Sequence, residues 1–188
     1  VYENNIGLLE AEVGNYDKAE VHFRLGLQNR KLGGVENLYS NSYYYIARMK
    51  EVLNQPDSLM HYLYMCVYTD SLLNLVEEQI SSTRNYAYYL AHISKDPKKS
   101  LRYYKQAKRL SEEYHINEHI ALINLGIAGY HMRKGNFDSS LYYGKIADSL
   151  AIFYQQNHSI RSTTKFLRYR YEEKGDYRNL SKILQRQL

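Results

Sequence analysis

The sequence predicts an all-α chain, a solenoid of about five helix-turn-helix repeats with ten helices. Three observations carry that expectation. Only 2 of 188 residues are proline, the residue a helix interior tolerates least. Apolar and small residues recur at spacings of three and four, the mark of one helix face. A turn-plus-helix pattern also returns about every forty residues, which makes the repeat the unit of interpretation.

The repeats run in order over approximately 1–33, 34–73, 74–114, 115–154 and 155–188. Their second halves begin GNYDKAEVHFRLGL at Gly14, NQPDSLMHYLYMCV at Asn54, KDPKKSLRYYKQAK at Lys95, GNFDSSLYYGKIAD at Gly135 and GDYRNLSKILQRQL at Gly175. The third position of each line is Tyr16, Pro56, Pro97, Phe137 and Tyr177. Further columns are Ala19, Leu59, Ser100, Ser140 and Leu180, then Phe23, Leu63, Tyr104, Gly144 and Leu184, then Gly26, Cys66, Ala107, Ala147 and Gln187. Their 3-4-3 spacing lays them on one face of the second helix. Before each line a first helix ends at a turn. Gly suits the left-handed residue there, and Asn or Asp suits the cap of the helix that follows. Pro56 and Pro97 start that helix differently, at a position whose missing N–H is not needed. Nine residues before the aromatic column stand Gly7, Ala47, Tyr88, Ala128 and Arg168. Three of these five are small, as close helix packing requires.

Composition bounds the rest. The chain is 44% hydrophobic and 24% charged, ordinary for one globular unit with a sizeable core. It holds 22 Tyr but 4 Phe and no Trp, so its aromatic bulk is nearly all amphipathic. Cys66 is the single cysteine, which excludes an internal disulfide and a cysteine-rich metal site. Within LYMCVY it reads as a small buried residue. A net charge of +5 is mild, and no apolar run approaches the ~20 residues of a membrane span. Val1 and Leu188 both fall inside helical pattern, so the chain reads as a piece of a longer protein.

Small Gly7, Gly14-Asn15-Tyr16, Ala19, Phe23 and Gly26 together resemble a tetratricopeptide repeat. The resemblance is good in the first and fourth units, weaker in the second and third, and rests mainly on Gly-Asp-Tyr in the fifth. It implies a right-handed superhelical array over almost the whole chain. Asp70-Ser71-Leu72 and Asp148-Ser149-Leu150, with the long Tyr-rich units, resemble a bacterial subgroup often joined to a helix-turn-helix or histidine-kinase output. Units of forty residues are also similar to the peptide-sensing arrays of Gram-positive quorum regulators.

In that family first-helix residues line a concave groove, which implies three columns here. They are Asn4, Tyr44, Asn85, Leu125 and Lys165; Leu8, Arg48, Tyr89, Gly129 and Tyr169; and Ala11, Glu51, His92, Met132 and Glu172, flanked by Arg133. The groove candidates by chemistry are Asn4, Tyr44, Arg48, Asn85, Tyr89, His92, Arg133, Lys165 and Tyr169. Asn clamps a backbone amide with a donor and an acceptor. Tyr offers a face and a hydroxyl at little entropic cost. Arg48, Arg133 and Lys165 suit a carboxylate. The Lys, Asn and Arg set of the chaperone-binding members is not reproduced, so no chaperone partner is expected.

HINEH, residues 115–119, fits an H-x-x-E-H zinc pattern through His115, Glu118 and His119 if the helix starts early enough. A catalytic zinc needs a third protein ligand, and the nearest later glutamates are Glu172 and Glu173. The expected reading is a polar helix start. Phosphate-loop, hydrolase-elbow and kinase motifs are absent. Adjacent acids such as Glu77-Glu78 and Glu112-Glu113 diverge on a helix. Lys98, Arg102, Lys105 and Arg109 share one helix face beside Tyr103 and Tyr104, and read as a solvated outer face rather than a nucleic-acid contact.

The expectation is a non-catalytic module with no cofactor and no metal, binding a protein or peptide segment. It would be the input region of a bacterial transcriptional or two-component regulator. The alternatives are a free-standing adaptor or a quorum-peptide-binding protein, and remotely a zinc hydrolase. Homodimerisation is possible for an array of this kind. The compartment would be periplasmic for a membrane-anchored sensor and cytoplasmic otherwise.

Overall fold

The computed structural model describes residues 2–185. The expectations placed on Val1, Gln187 and Leu188 lie outside them. Among the described residues there are ten α-helices and no strand: α1 Tyr2–Glu12, α2 Tyr16–Leu32, α3 Tyr39–Val52, α4 Pro56–Leu72, α5 Val76–His92, α6 Pro97–Glu113, α7 Ile120–Arg133, α8 Phe137–Phe153, α9 Asn157–Lys174 and α10 Tyr177–Gln185. One 3-10 turn, Glu36–Leu38, precedes α3. The chain forms two compact units, Val1–Lys95 with α1–α5 and Asp96–Leu188 with α6–α10. Within each, every helix packs on the next, and α7 also meets α9.

The turns set the repeat. Residues with left-handed backbone are Gly14, Gly34, Asn54, Asn74, Lys95, His115, Gly135, Gln155 and Gly175. They stand twenty residues apart except between Asn74 and Lys95, where the step is 21. Most close the same way, with the N–H after the left-handed residue returning to a carbonyl five residues back. Examples are Asn15 to Glu10 at 2.8 Å, Leu75 to Asp70 at 2.9 Å and Asp176 to Tyr171 at 2.9 Å. Glycine is therefore one solution among several, and five side-chain-bearing residues take the same conformation at some cost.

The one extra residue lies at the end of α5. Ala47 and Ala128 are fully buried, and so is Ala87, forty residues after Ala47. Tyr88, which the sequence spacing places in that small column, is about half exposed. The added residue thus falls between Ala87 and Lys95. There Ile93 and Ser94 N–H groups both turn back to the Tyr89 carbonyl, and Asp96 caps α6 by accepting from the Lys99 N–H at 2.9 Å.

Each unit has its own core. In the first, Ala19, Phe23, Ile46 and Met49 cluster, and the Tyr45 ring stacks on Phe23 at 5.0 Å. Burying a Phe side chain is worth about 1.5–3 kcal/mol. Gly7 makes room for it: a Cβ there would lie 2.6 Å from the Phe23 ring. Glu20 on α2 and Lys50 on α3 pair at 2.8 Å. Burial opposes the Glu20 charge, but Lys50 and Arg24 together hold its carboxyl below the usual range. In the second unit Leu141, Leu167, Tyr171 and Ile183 cluster. The Tyr104 ring covers Gly126, leaving no room for a Cβ, and at Gly144 a Cβ would lie 2.7 Å from the Phe166 ring.

Candidate functional site

α3, α4 and α5 enclose a cleft of about 380 Å³ in the first unit. Ser40, Asn41, Tyr44 and Tyr45 reach it from α3, Leu63, Cys66 and Asp70 from α4, and Glu78, Ser81, Ser82, Arg84 and Asn85 from α5. Two groove candidates, Tyr44 and Asn85, line it. Tyr44 is partly exposed and Asn85 half-buried. With Asn41 they offer a ligand both faces of an amide and an aromatic plane.

Arg48 lies one turn beyond Tyr44. Its guanidinium donates to the Glu51 carboxylate and, at 3.1 Å, to the Tyr89 hydroxyl. Burial works against its charge, but Tyr89 and Glu51 hold its pKa above the ordinary value. Burial, with Glu51 nearby, pushes the Tyr89 hydroxyl up to about 12. Arg48 is thus already neutralised, and Tyr89 is only 8% exposed. This pair ties α3 to α5. The exposed His92 stacks on Tyr88 at 4.1 Å, and its ring Nδ1 donates to the Tyr88 carbonyl at 2.7 Å.

The extra residue of α5 matters for the alignment. The α5 residues in register with Tyr44, Arg48 and Glu51 are Arg84, Tyr88 and Ala91, forty residues on in each case. Asn85, Tyr89 and His92 stand one position further. Asn4 is only 6% exposed and faces α2: with its amide oxygen turned to Arg30 it accepts from both guanidinium nitrogens, at 3.2 and 3.3 Å. In the second unit Arg133, Lys165 and Tyr169 are all exposed, on α7 and α9.

Asp70 escaped the sequence reading, although a signal was present. Leu59, Leu63, Cys66 and Asp70 continue one 4-3-4 helical stripe, so an acid occupies the fourth place of a buried face. It is fully buried. Neither carboxylate oxygen has a hydrogen-bond partner among the described residues. Burial pushes its pKa up; the nearby Ser82 and Ser40 hydroxyls ease the charge in part. The Ser82 hydroxyl is turned instead to the Gln79 carbonyl, at 3.3 Å. Cys66 is buried as expected, its Sγ within 3.4 Å of the Ser40 carbonyl and 3.3 Å of the Tyr62 carbonyl. Burial, then Asp70, pushes that thiol up to about 12, far from a reactive thiolate.

HINEH is not helical through its length. α6 ends at Glu113, His115 takes the left-handed turn position (φ 56°), and α7 starts at Ile120 after His119. His115 and His119 therefore do not share a helix face. His115 stands in the same column as Gly34, Asn74 and Gln155, which gives it a turn-forming place. Lys98, Arg102, Lys105 and Arg109 are exposed on α6, while Tyr104 beside them is buried.

No family profile matches the sequence, and no curated protein matches it. Solved structures do match in fold. BtubC from P. vanneervenii superposes at a TM-score of 0.77 with 15% identity, over 96% of this chain and 74% of that one. Apo RapI gives 0.80 and 14%, over 98% and 51%. A signal transduction ATPase with numerous domains and a tetratricopeptide repeat sensor, from Pyrococcus horikoshii, gives 0.73 and 16%, over 98% and 28%. A Rap protein complexed with Competence and Sporulation Factor gives 0.75 and 15%, over 98% and 52%. The chain spans about half the length of the two Rap structures. Ten helices with this turn period and these neighbours give one conclusion: the chain has the all-α fold of a tetratricopeptide-type repeat protein.

Proposed function

We propose that the chain is a non-catalytic binding module that holds a peptide or protein segment on the α3–α5 face of its first unit. The cleft carries this reading. It sets amide and phenol side chains, Asn41, Tyr44 and Asn85, around a space of about 380 Å³, within the usual range for ligand pockets. The shared fold with a Rap protein complexed with Competence and Sporulation Factor and with a repeat sensor of a signal transduction ATPase supports a role as the input region of a bacterial regulator. Under this reading Arg133, Lys165 and Tyr169 of the second unit are further candidate contacts.

The test is selection of peptides from a random displayed library against the purified chain, followed by titration. Tyr44→Ala with Asn85→Ala should weaken the selected peptides at least about tenfold, with the helical content and melting temperature retained. Undiminished binding places the site elsewhere.

A further inference from the structure

We infer that the α3–α5 cleft is a receptor for a primary ammonium group, with Asp70 as the acceptor that waits for it. This rests on the proposed peptide-binding reading and names what the bound segment must carry.

The argument begins with cost. A buried carboxylate without a donor loses its hydration and gains nothing in return. Natural folds carry few such groups, and a protein whose only interest is stability replaces them with apolar ones. Asp70 is fully buried, and its two oxygens have no hydrogen-bond partner among the described residues. It nonetheless lines the cleft of about 380 Å³ between α3, α4 and α5. A second carboxylate, Glu78, lines the same cleft from α5. Its charge adds to the difficulty of leaving Asp70 ionised alone, and with Asp70 it gives the cleft two carboxylates against the one guanidinium of Arg84.

The shape of the approach selects the cation. Asp70 shares the cleft lining with two small hydroxyl side chains, Ser40 and Ser82, both of which act on its charge. An ammonium is compact, with three donors around one nitrogen, and can meet a carboxylate and a neighbouring hydroxyl together. A guanidinium is a wide planar fork that needs an open, flat acceptor edge. A metal ion fits less well: among the described residues no three His, Cys, Asp or Glu side chains gather in metal-binding geometry. Tyr44 and Tyr45 line the same cleft, and aromatic rings attract cations. The Ser82 hydroxyl, now on the Gln79 carbonyl, is free to turn once a ligand brings its own donors.

The test uses the peptides selected on the wild-type chain, each also made with Lys replaced by norleucine and with an acetylated N-terminus. Binding is measured by calorimetry to wild type, Asp70→Asn and Tyr44→Ala. The inference expects selected peptides that lose at least about tenfold in affinity on Asp70→Asn. The same loss should follow one of the two ligand changes, norleucine marking a lysine source and acetylation an N-terminal source. Peptides that need Tyr44 but bind Asp70→Asn as tightly as wild type overturn the ammonium site and leave the peptide-binding reading intact. Peptides indifferent to both Tyr44→Ala and Asp70→Asn overturn both. Asparagine is the isosteric change: it removes the charge and turns one acceptor oxygen into a donor, while keeping the volume. A matching loss with Ser82→Val, which obstructs the approach while leaving the carboxylate, guards against a folding artefact.

Discussion

Two buried aspartates, one in each unit, begin alike and end differently. Asp70 and Asp148 both open an Asp-Ser-Leu tripeptide near the end of a second helix, and both are shielded from water. Asp148 accepts from the Thr163 hydroxyl of α9 at 2.9 Å. Asp70 has no such donor. The reason is register. Thr163 stands eight residues after the left-handed Gln155, and Ser82 eight after the left-handed Asn74, so the two hydroxyls are equivalent. Asp148, however, stands seven residues before its turn and Asp70 only four. One helical turn separates a carboxylate that is capped from one that is not. In α4 the place of Asp148 is taken by Val67, which is buried. The same three letters therefore close a core in one unit and open a cleft in the other.

The comparison can be broken in graded steps. The largest effect is expected from Val67→Asp, which puts a second carboxylate beside Asp70. We expect a loss of about 3 kcal/mol or more in urea unfolding, partly recovered in Val67→Asp with Asp70→Asn. No recovery would mean that the Ser82 hydroxyl cannot serve as Thr163 does. Thr163→Val should cost about 2 kcal/mol, because it leaves Asp148 buried without that donor. A neutral result would show that Asp148 is supported by other groups.

Asp70→Asn should raise stability at neutral pH by about 1–2 kcal/mol. Its pH dependence has a definite sign. Burial raises the folded-state pKa of Asp70 above the ordinary 3.8. The wild-type fold is therefore least penalised below the unfolded value, and it loses stability as pH rises through the raised one. The advantage of Asn over Asp should shrink as pH falls toward that ordinary value; an advantage constant with pH would mean that the Asp70 pKa is the same in the folded and unfolded chain. The smallest effect belongs to Ser82→Ala, within about 0.5 kcal/mol, since its hydroxyl is turned to the Gln79 carbonyl of its own helix turn and only eases the Asp70 charge in part.

The fold was legible because its period is written twice. The 3-4-3 columns give the second helices, and the recurring turns give the joints between them. His115 was legible only as half of a motif, since the sequence does not reveal that it continues the turn column of Gly34 and Asn74. The lining of the first-unit cleft was legible in part. Tyr44 and Asn85 came from family columns, and both line the cleft. The one-residue offset in α5 was not visible, because an insertion anywhere between Asn74 and Lys95 leaves the flanking turns in the same places. Only the burial of Ala87 locates it. Asp70 was missed because its tripeptide looked like a repeated signature, while the two copies differ by one turn in register.

The glycine contacts of the second unit have a genetic consequence. Phe23 rests on Gly7 of its own repeat, but Tyr104 rests on Gly126 of the following repeat and Phe166 on Gly144 of the preceding one. Residues 115–154 therefore hold the sockets for rings that belong to both of their neighbours. Tandem genes lengthen and shorten readily by unequal crossing-over. Here, excising that segment would strand two aromatic side chains, and duplicating it would pair a glycine with a place that supplies no ring. The order of the units is thus fixed by who carries the ring and who carries the hollow, and the array behaves as a sequence of unlike bricks rather than a tape that can be cut to any length.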